Sequence, residues 1–334
     1  MGPLELIYYL GYSLRKNRDM KNRRRLPRKV ISVGNLTLGG TGKTPAVIAL
    51  AEEARKRGLQ PCVLTRGYKG KAQGPCFVSK GNGPLLSAEE AGDEAFLMAE
   101  RFKGVPIVKG RDRYEAGMFA LQHLQFELLF IMDDGFQHWK LWRDRDILLI
   151  NGTDPFGNKK LFPSGILREP LSEMKRADII VITKISREIA GDICSNSLMS
   201  EIKQYNPDAP VYIGEHIPVC LRTLSGEELT LGTISGKKVF SFCGIAGPSS
   251  FKESLLRTGA DVKGFMAYRD HHRYSPGDVI RICEAAVRSG ADWIVTTEKD
   301  IIKLTDFGLP ENLLALRIEF RTEEGFYETV FVEE

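Results

Sequence analysis

A chain of 334 residues is too long for one ordinary core and calls for one large or two medium domains. Its 43% apolar and 27% charged residues exclude a disordered chain, no run reaches the roughly 17–25 apolar residues that cross a bilayer, and six scattered cysteines (62, 76, 194, 220, 243, 283) without a C-x-x-C pair read as reduced thiols rather than a disulfide framework or zinc site. The net charge of +4 is uneven: residues 1–29 hold nine Lys/Arg against Glu5 and Asp19, a net of +7, which leaves −3 for the rest.

The N-terminal arm has two halves. Leu4-Glu5-Leu6-Ile7-Tyr8-Tyr9-Leu10-Gly11-Tyr12-Ser13-Leu14 is apolar and aromatic, and Arg15 to Lys29 is basic, densest at Arg23-Arg24-Arg25. As a helix the apolar half is roughly 16 Å long, about half a hydrocarbon core, so it can lie in a lipid interface but cannot cross. Cations beside apolar and Tyr residues suit an interfacial anchor on anionic lipid, each contributing roughly 1 kcal/mol near such a surface. The plain alternative is a first helix packed on its own domain with a solvated basic face. A secretory signal is excluded by order, because the apolar part precedes the charges. Gly2 lacks a Ser or Thr at position 6, so myristoylation is not indicated. A nucleic-acid arm would leave the apolar half unexplained.

The β-branched run Val30-Ile31-Ser32-Val33 comes next, then Thr37-Leu38-Gly39-Gly40-Thr41-Gly42-Lys43-Thr44 and a helical stretch from Pro45 to Ala51. Strand, Gly-rich turn and Lys-Thr opening a helix is the layout of a phosphate-binding P-loop. The glycines let backbone amides turn inward onto phosphate oxygens, and the helix N-terminus adds partial positive charge. Lys43 would reach the β- and γ-phosphates of a nucleotide, and the Thr44 hydroxyl would ligate Mg²⁺. Thr37 stands where the general motif has its first glycine. A Gly-rich turn that binds nothing is the competing reading.

Further apolar runs lie at Pro61–Leu64, Val105–Val108, Leu128–Met132, Ile147–Ile150 and Ile179–Ile182, with helical patterns such as Ala46–Lys56 and Tyr114–Leu124 between them. Strands apolar on both faces predict a mostly parallel sheet covered by helices. Residues 186–236 are more polar and read as a helix, a strand and a connecting hairpin. A second α/β unit starts at Val239–Gly244 and continues through helices near Ser249–Arg257 and Pro276–Arg288 to a strand at Trp293–Thr296. The expected division is an arm over residues 1–28, a nucleotide-binding domain over 29–225 and a C-terminal α/β domain over 226–334.

Several polar segments fall at the ends of these runs, where ligands of open α/β sheets gather. Met132-Asp133-Asp134-Gly135-Phe136-Gln137-His138 follows an apolar strand and has the Walker-B layout for holding Mg²⁺, against the alternative of a solvated Asp-Asp-Gly turn. Gly92-Asp93-Glu94 opens a helical stretch; Asp93 is either its N-cap or a base or metal-linked acid near the γ-phosphate, and the residues do not separate the two. Phe162-Pro163-Ser164-Gly165-Ile166-Leu167-Arg168-Glu169-Pro170 is a stiff loop in which Arg168 could stabilise a transferring phosphate and Glu169 could hold metal or a sugar hydroxyl. Arg66, Lys69, Arg111 and Arg113 add cations at strand ends. Each alone reads as a solvated surface residue; together they point to an anionic substrate. Asp270-His271-His272-Arg273-Tyr274 is a compact polar cluster that reads equally as a surface loop or a site.

Taken together these segments resemble the tetraacyldisaccharide 4′-kinase family of lipid A biosynthesis. The matching stretches are Val33 to Thr37 through Gly42-Lys43-Thr44-Pro45, Arg66-Gly67-Tyr68, Gly92-Asp93-Glu94, Asp133 to His138, Leu167-Arg168-Glu169, Asp270-His271 and Thr297-Glu298-Lys299-Asp300, in family order over nearly the whole chain. The family shares Thr at the position of Thr37; Ala95 departs from the Pro that many members have after Gly-Asp-Glu. The resemblance implies a P-loop-type α/β/α sandwich and a smaller α/β/α domain joined by a two-stranded linker. It implies transfer of the ATP γ-phosphate, with Mg²⁺, to the 4′-hydroxyl of a tetraacylated glucosamine disaccharide 1-phosphate. It implies attachment of the N-terminal helix to the cytoplasmic face of the inner membrane. By the same resemblance Thr37 to Thr44 hold the nucleotide, and Thr44, Asp133, Asp134 and Glu94 are placed at the metal. Arg66, Tyr68, Arg113, His138 and Glu169 are placed on the substrate side. Asp93 is the base, tuned by His271 across an interdomain cleft, with Lys43 and Arg168 on phosphate. His271 is preferred to His272 because it directly follows Asp270. Neither nucleic acid nor an obligate protein partner is indicated.

Two rivals share the P-loop. A GTPase would read guanine with Asn-Lys-x-Asp, but Thr183-Lys184-Ile185-Ser186 lacks the Asp and Thr297-Glu298-Lys299-Asp300 has the wrong spacing. An ATPase switch bound to a membrane and a protein partner explains the arm and the P-loop but not the Asp93 and His271 segments.

Overall fold

β1 (Val30–Gly34), buried along its whole length, lies between two parallel strands, β5 (Leu128–Asp133) and β6 (Arg145–Asn151). In the computed structural model, which describes residues 2–185, 194–305 and 307–332, these three strands belong to the larger of two units. That unit comprises residues 1–215 and 320–334; the other comprises 216–319. No described helix is long and apolar enough to cross a membrane.

The larger unit begins with α1 (Pro3–Lys21) and continues after β1 with α2 (Lys43–Lys56), β2 (Gln60–Thr65), β3 (Cys76–Asn82), α3 (Ala88–Ala91), α4 (Asp93–Arg101), β4 (Lys103–Lys109) and α5 (Arg113–His123). After β5 and β6 come β7 (Ile179–Thr183), α6 (Cys194–Tyr205) and β8 (Val211–Arg222). The strand order is β8-β7-β6-β1-β5-β2-β4-β3, parallel except for β3, which runs antiparallel to β4. Alternation along the strands builds the two covers. Ile31, Val33, Ile131, Ile147 and Val181 pack with α2 and α4, while Val30, Leu64, Phe130 and Met132 pack with α5, and Leu148, Ile150, Ile180 and Ile182 pack with Leu198 and Ile202 of α6. This is the α/β/α sandwich expected from strands apolar on both faces.

The smaller unit contains the end of β8, β9 (Glu228–Leu229), β10 (Lys238–Cys243), α7 (Pro248–Leu256), β11 (Asp261–Ala267), α8 (Pro276–Arg288), β12 (Trp293–Thr297), α9 (Glu298–Ile301) and most of β13 (Leu313–Thr322). Its parallel order is β11-β10-β12-β13, with Val239, Cys243 and Val295 on one face and Phe240, Phe242 and Ile294 on the other. β9 forms the expected hairpin with β8.

Each expected strand is present. The division differs from that expected in two ways: it falls at residue 216 rather than near 225, and the last residues return to the larger unit. The return has a packing cause. Phe320, and Phe326 and Val330 of α10 (Phe326–Phe331), complete the core over α2, Ile179 and Val181. The chain therefore leaves the larger unit within β8 and re-enters it within β13, so the smaller unit is an insertion.

Candidate active site

The P-loop runs from the end of β1 to the start of α2. Gly39 (φ 105°) and Gly42 (φ 81°) occupy the left-handed region that only glycine adopts without strain. Asn35 is fully buried and pins the turn from inside: its amide donates to the Thr37 carbonyl (2.9 Å), and its Oδ1 accepts from Lys43 Nζ (3.1 Å). Thr183 at the end of β7 donates to the Thr41 carbonyl (3.0 Å). Lys184 next to it, also left-handed (φ 61°), titrates below an ordinary lysine because of burial and then the Lys43 charge. Ser186, the last residue of the stretch weighed against a guanine motif, lies outside the described residues.

The aspartate pair closes on this loop. Gly34 has no room for a side chain, since a Cβ there would lie 2.6 Å from Cβ of Phe136, and Gly135 N–H donates to the Val33 carbonyl. Asp134 (φ 48°) faces Lys43 at 3.4 Å and takes Arg168 Nη1 on both oxygens at 3.0 and 3.1 Å. Although burial opposes it, these two cations hold Asp134 well below the usual carboxylate range. Asp133 is in the opposite situation. It is buried, accepts only the Thr65 hydroxyl on Oδ2 (3.0 Å), and its Oδ1 has no hydrogen-bond partner among the described residues. Burial first, then the charges of Glu94 and Asp134, push it up to about 7. A buried carboxylate oxygen without a donor, in a field of two further carboxylates, fits a divalent cation. Among the described residues no three acidic, His or Cys groups form a cage by themselves, which suits Mg²⁺ held by one or two carboxylates and substrate phosphates.

Arg66-Gly67-Tyr68 and Gly92-Asp93-Glu94 meet. A Cβ on Gly92 (φ 92°) would lie 2.4 Å from the Tyr68 carbonyl, and one on Gly67 (φ 62°) would strike Lys109 and the Ala91 carbonyl. Lys109, buried at the end of β4 beside Gly67, donates to the Glu90 carbonyl (2.5 Å). Asp93 is the first residue of α4, directly after Gly92.

Arg113 is buried at the start of α5, and burial lowers it to about 10 despite the charges of Asp133 and Asp134. Its backbone N–H donates to His138 Nε2 (3.3 Å). Burial, then Arg113 and Arg143, push His138 down to about 3, so it is neutral near pH 7 and cannot pair with phosphate as a cation. The Arg168 segment is clipped to the P-loop by Arg168 N–H to the Leu36 carbonyl and Leu38 N–H to the Ile166 carbonyl, each 2.7 Å. The Nε atoms of Arg113 and Arg168 are buried without a partner among the described residues, leaving donors for an anion. Glu169 differs from its expected place beside substrate. It is fully buried and committed to Gln137 (2.6 Å) and Arg176 (2.5 Å), because an unpaired carboxylate cannot be buried cheaply.

In the smaller unit the histidine doublet divides. His272 bonds Asp278 (3.2 Å) and stacks on Tyr268, which makes it part of the α8 start. His271 (φ 58°) sits with Lys299 Nζ at 3.4 Å and Asp270 at 3.8 Å. Asp300 is fully buried, accepting from Gly244 N–H, Thr297 and Lys303, and supports the chain rather than facing a ligand.

The arm packs on the protein along one side and leaves apolar residues exposed along the other. Tyr8 and Tyr9 pack against the larger unit, while Leu4, Leu6, Ile7, Leu10 and Leu14 are exposed, Ile7 by 66% and Leu14 by 72%. The arginine cluster is spent on the protein itself: Arg24 pairs with Asp112 and Glu115 and lies over Tyr114, Arg25 pairs with Asp144, and Arg23 lies over Trp142. The sequence reading gave no role to Asn35, Gln137 or Lys109, and it read the tyrosines of α1 as part of a lipid interface rather than as contacts with the Arg168 segment. The one signal in the sequence was an Asn closely following an apolar strand.

Comparison with known proteins agrees with this arrangement. A family model described as tetraacyldisaccharide-1-P 4′-kinase matches residues 1–332. The chain is 40% identical over 320 residues to a tetraacyldisaccharide 4′-kinase of Halothermothrix orenii, covering 90% of this chain and 82% of that one. It is 39% identical over 335 residues to one of Syntrophus aciditrophicus, covering 96% and 89%. A crystal structure of LpxK from Aquifex aeolicus in complex with ATP superposes with a TM-score of 0.76 at 33% identity, covering 98% of this chain and 96% of that one. A match along the full length, in sequence and in fold, places this chain in the tetraacyldisaccharide 4′-kinase family.

Proposed function

We propose that this protein transfers the γ-phosphate of ATP to the 4′-hydroxyl of a tetraacylated glucosamine disaccharide 1-phosphate. The observation that carries the reading is the convergence of Lys43 and Arg168 on Asp134 beside the orphaned oxygen of Asp133, at the mouth of a P-loop. Phosphoryl transfer needs positioning and charge neutralisation more than covalent help, and this set supplies both. Lys43 and the amides of Thr37 to Thr44 hold the β- and γ-phosphates. Asp133 and Thr44, with Asp134 and Glu94 nearby, would hold Mg²⁺, which neutralises charge on the phosphates. The sugar oxygen attacks the γ-phosphorus, the bond to the β,γ-bridging oxygen breaks, and ADP leaves. Asp93 takes the hydroxyl proton. His271 is assigned to the same proton transfer, and Arg113, Arg66 and Tyr68 to the acceptor with its 1-phosphate.

The exposed apolar face of α1 reads as a contact with lipid, which would make the protein peripheral on the cytoplasmic face of the inner membrane, where ATP is available. With the arginine cluster bound to the protein, apolar area rather than basic charge carries that contact.

The test is transfer of radiolabelled γ-phosphate from ATP to the acylated disaccharide 1-phosphate in mixed micelles, with the deacylated disaccharide alongside. Label is expected in the acylated lipid only. Lys43→Ala is expected to lower turnover about 10²–10³-fold, the size of losing one preorganised electrostatic contact. Near-normal turnover of that variant removes the P-loop from the reaction, and equal labelling of both acceptors removes the lipid.

A further inference from the structure

We propose that α1 is part of the catalytic apparatus as well as a lipid contact, with Tyr8 and Tyr12 as positioning residues for Arg168. The inference rests on the function proposed above, because it takes Arg168 as the group that orders the phosphate site.

The two faces of α1 have separate partners. Leu4, Ile7, Leu10 and Leu14 recur at helical spacing on the exposed side, and Glu5, Tyr8, Tyr12, Lys16 and Asp19 recur on the side turned to the larger unit. The hydrogen bonds and the ion pair that it makes with that unit's loops fall on the segment that carries Arg168 or close to it, while its ring contacts also reach Trp139. Glu5 accepts from Leu161 N–H (2.9 Å), Tyr8 donates to the Arg168 carbonyl (2.9 Å), Tyr12 donates to Glu169 (3.4 Å), and Lys16 pairs with Glu173. The Tyr8 ring also meets Phe162 edge-on, with centroids 5.6 Å apart.

From there the bonds lead to the phosphate site without a gap. The Arg168 peptide is held on one side by Tyr8 and on the other by the Leu36 carbonyl of the P-loop. Glu169, held by Tyr12 and Arg176, accepts from Gln137. Gln137 in turn donates to the Asn35 carbonyl (2.8 Å) and accepts from Arg168 Nη1 (3.3 Å), the nitrogen that bonds Asp134. Asn35 Oδ1 holds Lys43. The Tyr12 hydroxyl titrates far above an ordinary tyrosine, through burial and the Glu169 and Glu173 charges, so it stays a donor at any working pH. A helix that touches lipid outside and fixes the phosphate-site arginine inside makes lipid contact and phosphoryl transfer properties of one element. Lipid that steadies α1 raises the fraction of molecules with Arg168 in place.

The test uses the full chain with Tyr8→Phe and Tyr12→Phe combined, which removes two hydroxyls and keeps both rings. The assay is phosphoryl transfer to detergent-dispersed acylated disaccharide 1-phosphate, with ATP affinity, flotation with phosphatidylglycerol vesicles and the thermal unfolding midpoint measured alongside. We expect kcat to fall about tenfold, with ATP affinity, KM for the acceptor and flotation within twofold of wild type. In an Arg168→Ala background the same changes should cost nothing further. Leu6→Ser with Leu10→Ser should lose flotation, which the tyrosine variants keep. A kcat within twofold of wild type per folded molecule overturns the inference, as does a full additional loss in the Arg168→Ala background. If wild type transfers no phosphate, the proposed function fails and this inference with it; if wild type is active and the tyrosine variants match it, only this inference fails.

Discussion

Asp133 and Asp134 are neighbours at the end of β5, yet their fields are opposite. Lys43 and Arg168 stabilise the charge on Asp134, whereas burial, Glu94 and Asp134 oppose the charge on Asp133. Between the ordinary carboxylate range near 4 and about 7, the folded metal-free protein keeps a proton on Asp133 that the unfolded chain has lost. The folded state then binds more protons, so this group's contribution makes stability fall as pH rises through that window and stay low above it. Asp133→Asn should therefore be more stable than metal-free wild type above pH 7, with the gap closing toward pH 4. Thermal unfolding from pH 4 to 8 reads this directly, and a gap independent of pH removes the buried charge as its cause. Added Mg²⁺ should raise the midpoint of wild type at pH 8 and not that of Asp133→Asn. Asp93 poses a question of role rather than charge. Asp93→Ala should lower kcat by about 10²–10⁴ with ATP affinity unchanged, the range for a lost general base. A larger effect on ATP affinity than on kcat would assign it to nucleotide binding.

At the scale of the element, α1 shows what composition can and cannot convey. An apolar half followed by a basic half was plain from residues 1–29, and so were two destinations for it, lipid or protein. In the structure the helix keeps apolar residues exposed along one side and turns its tyrosines to the protein, because helical spacing puts Leu10 and Tyr12 on different faces although they are two residues apart. The partners of Arg23–Arg25 were not legible. Asp112, Glu115 and Asp144 lie about a hundred residues away, and nothing local marks them as counter-charges. Glu169 was misjudged for another reason: its partners Arg176, seven residues on, and Gln137, thirty-two residues before it, are near in sequence but do not show that they close on it and bury it. By contrast the P-loop and the Walker-B turn were legible because strand, turn glycine and charged residue are contiguous. Arg24→Ala should thus lower the unfolding midpoint by a few degrees and leave vesicle flotation within twofold. Lost flotation with an unchanged midpoint would return the arginine cluster to the lipid.

For the molecule as a whole, the insertion of the smaller unit makes the larger one depend on a segment that follows it by more than a hundred residues. Residues 320–332 mix six apolar or aromatic residues with three glutamates, and the three buried apolar positions give too short a pattern to announce a core element. In the structure Phe326 is 1% exposed and stacks edge-on with Tyr212 at 5.4 Å, Val330 is fully buried, and the Tyr212 hydroxyl bonds Thr329 (2.6 Å). This tail covers α2, the helix that starts at Lys43, so its packing supports the element that presents the P-loop. Emptying the Phe326 position leaves a cavity that α2 and β8 can only partly close. Phe326→Ala should accordingly cost about 3–5 kcal/mol, the usual range for a buried Phe. Urea unfolding followed by ATP binding measures the larger unit specifically, since it contains the P-loop. A loss below about 1 kcal/mol would mean that α2 is supported without the tail. Ending the chain at Glu319 should be harsher, abolishing ATP binding although every P-loop residue is retained.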